Sequence, residues 1–202
     1  MNAEAHFRAT APAYMRKLVA DFPQLDPQDA AAIFGNLGHE SLGFTKLQEM
    51  KPVVKGSRGG YGWAQWTGPR RRAFEAWCKK HGKDPAADAT NYAYLFLELK
   101  GLEGTESGAV GKVSAAVGLK AKVEAFEQAY LRAGVKHYDS RLKWAQIAVD
   151  AFRATETEPA KPAPIPVDPP APAAPHRGKF GWWLLGIIVA VVAIVAAFTI
   201  QF

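Results

Sequence analysis

Residues 35–77 read GNLGHESLGFTKLQEMKPVVKGSRGGYGWAQWTGPRRRAFEAW. The stretch begins near the end of a predicted helix that carries one carboxylate, Glu40, followed directly by Ser41. A segment rich in glycine and lysine then leads to an aromatic block at residues 61–66, and Pro69 predicts the start of another helix. The rest of the chain is predicted to support this stretch.

The helix that ends at Glu40 has a clear start signal. Asp26 is a good N-cap residue and Pro27 suits the first helical position. Glu40 lies three residues after Leu37, near the predicted apolar face, so its carboxyl is expected to be partly shielded from water. Partial shielding favours a carboxyl that can donate a proton.

The remaining pattern predicts a mainly α fold without long strand pairs. A loop or short hairpin is expected over residues 43–62 and a glycine-rich loop over 101–118. Further helices are predicted over residues 12–19, 70–81, 92–100, 120–133 and 139–154. Gly82 and Gly101 fit helix ends, where glycine is common.

The chain is predicted to have three parts. Residues 1–155 form a globular domain, and residues 156–179 form a Pro/Ala-rich linker, with eight prolines in residues 156–176. Residues 180–202 carry no charge and are long enough for one transmembrane helix. Because Arg177 and Lys179 precede this segment, the positive-inside rule predicts a single-pass membrane anchor with the domain in the cytoplasm. The short uncharged tail would also allow the inverted orientation.

Charge and cysteine content narrow the classes of partner. Residues 1–155 contain 22 Lys and Arg against 16 Asp and Glu, so nucleic acid, acidic lipid and an anionic cell wall all suit the charge. Residues 70–72 are three arginines at the start of an amphipathic helix, which favours a solvated face over nucleic-acid binding. Cys78 with His137 would suit a thiol hydrolase, but Cys78 lies on an apolar face and a buried thiol is expected. The histidine spacing predicts no metal, and no cofactor is expected.

One acid near aromatic rings and an amide is what a carbohydrate-cleaving groove needs, because rings provide apolar faces for sugars and the acid provides a proton. Glu40 is the candidate acid. Glu49 is the nearest candidate for a second catalytic carboxylate, although an exposed salt bridge is an equal alternative. The candidate residues for binding sugars are Ser41, Tyr61, Trp63, Gln65, Trp66 and Tyr92. Only one of Trp63 and Trp66 is expected to be buried packing.

The sequence resembles the phage tail lysozyme family. The resemblance lies in FGNLGHES at residues 34–41, LQE at 47–49, GYGWAQWTG at 60–68 and RRR at 70–72, and it extends to Tyr94-Leu95 and Glu98-Leu99. It covers most of residues 28–100 and, more weakly, the two helices that follow. The order of Glu40-Ser41 and then Gly62-x-x-Gln65 is also similar to goose-type lysozymes and soluble lytic transglycosylases, which adds Gly62 to the binding residues.

The resemblance implies a lysozyme-like helical domain over residues 1–155, in which Glu40 protonates the glycosidic oxygen between N-acetylmuramic acid and N-acetylglucosamine. The expected protein is a phage endolysin-type muramidase that acts on peptidoglycan, tethered to the host membrane through residues 180–202. A holin that breaches the membrane is a candidate partner. A lytic transglycosylase that leaves anhydro ends and a non-catalytic, membrane-anchored wall-binding protein remain the alternatives.

Overall fold

The computed structural model describes residues 2–157 apart from 53 and 55, and this part of the chain is mainly helical. Its elements are α1 (Ala3–Asp21), α2 (Pro27–Glu40), α3 (Gly68–Lys80), α4 (Asp88–Lys100), α5 (Gly108–Ala115), α6 (Leu119–Phe126), a π-helical segment (Glu127–Leu131) and α7 (Tyr138–Thr157). The predicted mainly α class is confirmed, and no strands occur in the described residues. The chain between α2 and α3 forms two isolated antiparallel bridges, Gln48 with Tyr61 and Tyr61 with Trp66.

Helix α2 is the centre of the fold. Every residue from Asp29 to Gly38 is buried, and α7, α6 and α1 all pack against this helix. Gly35 is required at the crossing with α7, because a Cβ at this position would lie 2.4 Å from the Cα of Ala145. The sequence predicted a single apolar face for α2, whereas the surrounding helices bury it on all sides.

Local capping signals place the start of α2 and the end of α4. Asp26 accepts a hydrogen bond from the backbone N–H of Asp29, and the Asp29 side chain accepts one from the N–H of Asp26. This capping box satisfies two N–H groups that have no partner inside the helix. At the end of α4, Gly101 adopts the left-handed conformation and caps the helix. The sequence predicted both of these boundaries.

The structure differs from the sequence prediction in three helices. Helix α1 begins at Ala3 and includes Pro12, because the burial of apolar side chains such as Phe7 and Met15 outweighs the roughly 3 kcal/mol cost of an internal proline. Helix α5 occupies part of the predicted loop over residues 101–118, where it buries Val110 and Val113. Helix α6 gives way to the π-helical segment, which stops at Leu131.

The predictions for the C-terminal part lie almost entirely outside the described residues. Helix α7 continues to Thr157, two residues into the predicted linker, and the transmembrane prediction for residues 180–202 lies outside the described part. Among the helices that are described, none has the length and apolar character that crossing a membrane requires.

Candidate active site

Glu40 is the last residue of α2, and its side chain is 19% exposed. Its carboxylate Oε1 lies 2.7 Å from a guanidinium nitrogen of Arg141, which is in the first turn of α7 and only 1% exposed. The C-terminal end of a helix carries partial negative charge, so a cation is favoured there. Glu40 is therefore a partly shielded carboxylate with a fixed cationic partner.

Arg141 connects Glu40 to the core and to the next segment of chain. Its Nε donates to the backbone carbonyl of Lys136 at 2.6 Å, and its Nη1 donates to Asn36 Oδ1 at 3.3 Å. The buried Asn36 side chain in turn donates to the carbonyl of Val123 at 3.0 Å. Glu40 is thus held by a network that joins α2, α6 and α7. Nothing in the sequence near Glu40 indicated Arg141.

A cleft of about 400 Å³ opens beside Glu40. Glu49 and Gln65 line this cleft from the segment between α2 and α3, and the chain after the π-helical segment lines it from the other side. The full set of lining residues is Glu40, Glu49, Ala64, Gln65, Thr67, Leu131, Arg132, Ala133 and Gly134. The cleft thus joins Glu40 to Ala64 and Gln65 of the aromatic block, as expected from the sequence.

Residues 131–134 line the cleft, and the segment 131–137 that contains them is called the wall segment below. Glu127, which is fully buried, fastens this segment by accepting hydrogen bonds from the backbone N–H of Ala133 at 2.8 Å and from Lys136 Nζ at 3.0 Å. Tyr138 donates to the same carboxylate at 3.0 Å. Sequence analysis missed this element, because the residues that hold it are typical of any solvated loop.

Glu49 and Gln65 are held by backbone groups. The Glu49 carboxylate accepts a hydrogen bond from the N–H of Gly60 at 2.7 Å, so it is anchored at the edge of the cleft. The Gln65 amide donates to the carbonyl oxygens of Leu47 at 3.0 Å and of Gly62 at 2.9 Å. Gln65 therefore fixes the shape of the loop that lines the cleft.

The two tryptophans of the aromatic block are both fully buried, so the expectation that only one of them packs in the core is wrong. Trp63 stacks on Phe44 with ring centroids 4.2 Å apart. The indole Nε1 of Trp66 donates to the buried carboxylate of Glu98 at 2.7 Å. Neither ring has surface in the cleft for a sugar, and both stabilise the loop that carries Gln65.

Ser41, Gly62 and Tyr61 are also engaged in contacts within the fold. Ser41 is fully buried, donates to the carbonyl of Leu37 at 2.7 Å and accepts from the N–H of Phe44, so it turns the chain after Glu40. Gly62 has a φ of 79°, and a Cβ there would come within 2.6 Å of Trp66. Tyr61 is half-buried beneath the guanidinium of Arg71. None of the three lies among the residues that line the cleft.

Tyr92 lies in a different concavity, called the aromatic pocket below. This pocket has a volume of about 570 Å³ and is lined by residues that include Tyr14, Asp21, Trp77, Tyr92 and Phe96. Tyr92 is 2% exposed, and its hydroxyl donates to Asp21 at 2.7 Å. Tyr92 therefore does not line the cleft beside Glu40, because α4 turns this side chain toward α1.

Residues with a positive φ cluster around the cleft. In the described residues, five that are not glycine have this conformation: Leu42, Phe44, Gln65, Arg132 and His137. Each such residue costs of order 1 kcal/mol or more, and such strain in proteins concentrates at functional sites. Two of the five line the cleft and two follow Glu40 in the chain. The backbone distribution thus points to the same place as the cleft.

His39, next to Glu40, is kept neutral. Burial is the largest of the causes that together lower the pKa of His39 to about 4, and the electrostatic effects of Arg141 and His137 act in the same direction. Its ring Nδ1 lies 2.8 Å from Ser140 Oγ. His39 adds no positive charge beside Glu40 at neutral pH.

The structure gives no support to a thiol or metal site within the described residues. Cys78 is buried, and burial raises the pKa of its thiol to about 11, which disfavours the reactive thiolate. No group of three or more His, Cys, Asp and Glu side chains that could hold a metal ion occurs in the described part of the chain.

The family model described as Phage tail lysozyme matches residues 9–152. The chain therefore belongs to the phage tail lysozyme family, which confirms the resemblance drawn from its motifs. Membership makes it a lysozyme-like, peptidoglycan-cleaving enzyme of glycosidase type, with peptidoglycan as its substrate. Comparison with curated proteins and with solved structures found no match.

Proposed function

We propose that the chain is a muramidase that hydrolyses the bond between N-acetylmuramic acid and N-acetylglucosamine, with Glu40 as the general acid. The observation that carries the proposal is the shared cleft, in which a partly shielded carboxylate faces the segment that holds Glu49 and Gln65. Glycosidases need a carboxyl that donates a proton to the leaving oxygen, and Glu40 has the position for it.

Arg141 supports this role by fixing the orientation of the acid. Its shortest contact to Glu40 uses Oε1, which leaves Oε2 to carry the proton toward the glycosidic oxygen. As the proton is transferred, the C–O bond breaks and positive charge develops on the sugar ring. The carboxylate left on Glu40 is then stabilised by the guanidinium that already contacts it.

Glu49 is the proposed base in the second half of the reaction. Its carboxylate lines the same cleft, and a hydrogen bond from the N–H of Gly60 holds it in position there. Glu49 would take a proton from water as the water oxygen bonds to the anomeric carbon. This route leaves a reducing end, whereas attack by the sugar's own 6-hydroxyl would leave an anhydro end.

The test compares the full chain with two matched amide variants on purified peptidoglycan. We expect Glu40→Gln to slow clearing by about 10²- to 10⁴-fold, the usual contribution of a general acid. Glu49→Gln should slow hydrolysis less, because a water molecule can still be positioned in the cleft. Clearing by Glu40→Gln at the rate of the parent would refute the assignment.

Mass spectrometry of the released fragments separates the possible reactions. Reducing ends support hydrolysis, and anhydro ends identify a transglycosylase. Fragments that are free stem peptides, or no fragments with retained wall binding, would contradict a glycosidase.

We further propose that residues 180–202 tether the enzyme to the host inner membrane and that a holin controls its access to the wall. The support is the uncharged composition of this segment and the Pro/Ala-rich residues 156–179 before it. External protease added to spheroplasts should cut the domain only after the membrane is breached. Cleavage before the breach would contradict the cytoplasmic orientation.

A further inference from the structure

Arg132 is a cationic side chain at the cleft for which the reaction above has no role. It lines the cleft together with Glu40, and its side chain is half exposed. Its backbone is in the left-handed conformation with a φ of 54°, at a helix end where glycine would be easier. A long charged residue in this strained conformation points to a role for its side chain.

The guanidinium of Arg132 is held by a buried carboxylate. Its Nη2 lies 2.5 Å from Oε1 of Glu106, which is 2% exposed and also accepts from the N–H of Thr105 at 2.6 Å. Burial acts to raise the pKa of Glu106, but these hydrogen bonds outweigh it and the pKa is lowered. Glu106 is therefore charged at neutral pH and fixes Arg132 in place.

The need to neutralise Glu106 does not by itself explain why residue 132 is an arginine. The guanidinium of Arg70 lies 4.0 Å from Glu106 and also binds Glu98, so a cation is already present on the buried side. A guanidinium has five N–H donors, and the contact with Glu106 uses only part of this set. Because half of the side chain is exposed at the cleft, the remaining donors can reach a bound molecule.

We propose that Arg132 binds a carboxylate of the peptidoglycan strand and so selects strands that carry this charge. The inference rests on the proposed function, because it concerns the substrate of the same cleft. Two carboxylates of this polymer have the required chemistry, namely the lactyl carboxylate of a sugar that carries no stem and the carboxylates of the stem peptide. Arginine pairs with either one through two parallel N–H donors.

The test measures binding to three probes that share one glycan backbone, using Glu40→Gln chains so that cleavage is slow during the measurement. The probes are strands with stem peptides, strands from which an amidase has removed the stems, and stripped strands whose lactyl carboxyls are converted to amides. Adding Arg132→Gln should weaken binding to carboxylate-bearing probes about tenfold, as expected for loss of a charged hydrogen bond. Binding to the amidated probe should not change.

Arg72→Gln is the matched control, because Arg72 is exposed on α3 and does not line the cleft. It removes the same charge and should leave the ratios between probes as in the parent. Arg132→Lys should recover part of the affinity for carboxylates, since it keeps the charge without the planar pair of donors. Thermal unfolding of each variant shows whether the fold is retained.

The outcomes separate this inference from the proposed function. Weaker binding to stripped strands identifies the lactyl carboxylate, and weaker binding only to stem-bearing strands identifies the peptide. Equal loss on all three probes, or no loss, overturns the role of Arg132 even if the parent clears peptidoglycan. A parent that neither binds nor cleaves any strand refutes the proposed function, and the inference with it.

Discussion

The cleft beside Glu40 and the aromatic pocket beside Trp77 are of comparable size, but the first is lined mainly by polar groups and the second mainly by apolar ones. The cleft, of about 400 Å³, presents carboxylates, an amide and a guanidinium. The aromatic pocket, of about 570 Å³, presents rings, and its charged groups Lys17 and Asp21 pair with each other at 3.1 Å. The proposed proton transfer and the aromatic packing thus depend on separate residues, so activity and stability should respond to different substitutions.

The largest effect is expected at Arg141, because this residue is buried in the core and also contacts Glu40. Arg141→Met should lower the free energy of unfolding by about 3 kcal/mol, since it removes a buried cation and leaves the acceptors of Asn36 and Lys136 unpaired. Clearing of peptidoglycan should also fall, because Glu40 loses its fixed partner. Urea unfolding and turbidity assays measure the two effects. Arg141→Lys is the control, and full activity with Met at this position would contradict the positioning role.

Trp66 tests the aromatic side of the comparison. Trp66→Phe removes the indole N–H that Glu98 accepts and should lower the free energy of unfolding by about 2 kcal/mol. Clearing per folded molecule should remain within about twofold of the parent, because the ring has no surface in the cleft. A large fall in kcat with unchanged stability would mean that the buried ring acts in the reaction.

His39 gives a smaller effect that depends on pH. The folded pKa of about 4 is lower than the ordinary value of 6.5, so the unfolded chain binds the proton more readily. The stability that comes from burying a neutral His39 is present above pH 6.5 and is lost as the pH falls toward 4. Between pH 7 and pH 4.5, the free energy of unfolding of His39→Gln should fall by about 1–2 kcal/mol less than that of the parent, allowing for the exposed part of the ring. Urea unfolding at both pH values measures it, and an identical loss in both proteins would contradict the neutral state of His39.

The smallest effect is expected at Trp77 in the aromatic pocket. Trp77→Ala should cost about 1 kcal/mol of stability and change clearing by less than about twofold, because the ring lies outside the cleft. Turbidity assays against whole peptidoglycan measure this. A tenfold loss of clearing would place the aromatic pocket on the path of the glycan and break the division between the two regions.

Sequence predicted those features that are decided within a few residues. Asp26 and Pro27 define the start of α2, and the position of Glu40 at its end follows from the apolar spacing. By contrast, the burial of Trp63 depends on Phe44 and on Asn91, which accepts from the Trp63 N–H from 28 residues away. An aromatic block in a glycine-rich loop has the same sequence pattern whether its rings bind sugar or fill the core.

The partner of Glu40 was beyond sequence reasoning for the same reason. Arg141 lies in the first turn of α7, where an arginine normally belongs to a solvated face. Only the close packing of α7 on α2, made possible by Gly35, brings its guanidinium to Glu40. Residues separated by a hundred positions meet through tertiary packing, which no local spacing encodes.

Gly134 in the wall segment has a consequence for engineering this enzyme. It lines the cleft, and a Cβ built on it meets no other atom within 4 Å. Bulkier residues at this position could therefore narrow the entrance while leaving the hydrogen bonds that anchor Ala133 intact. Substitutions at this one residue would therefore change the width of the cleft, and with it the tolerance for cross-linked or decorated strands.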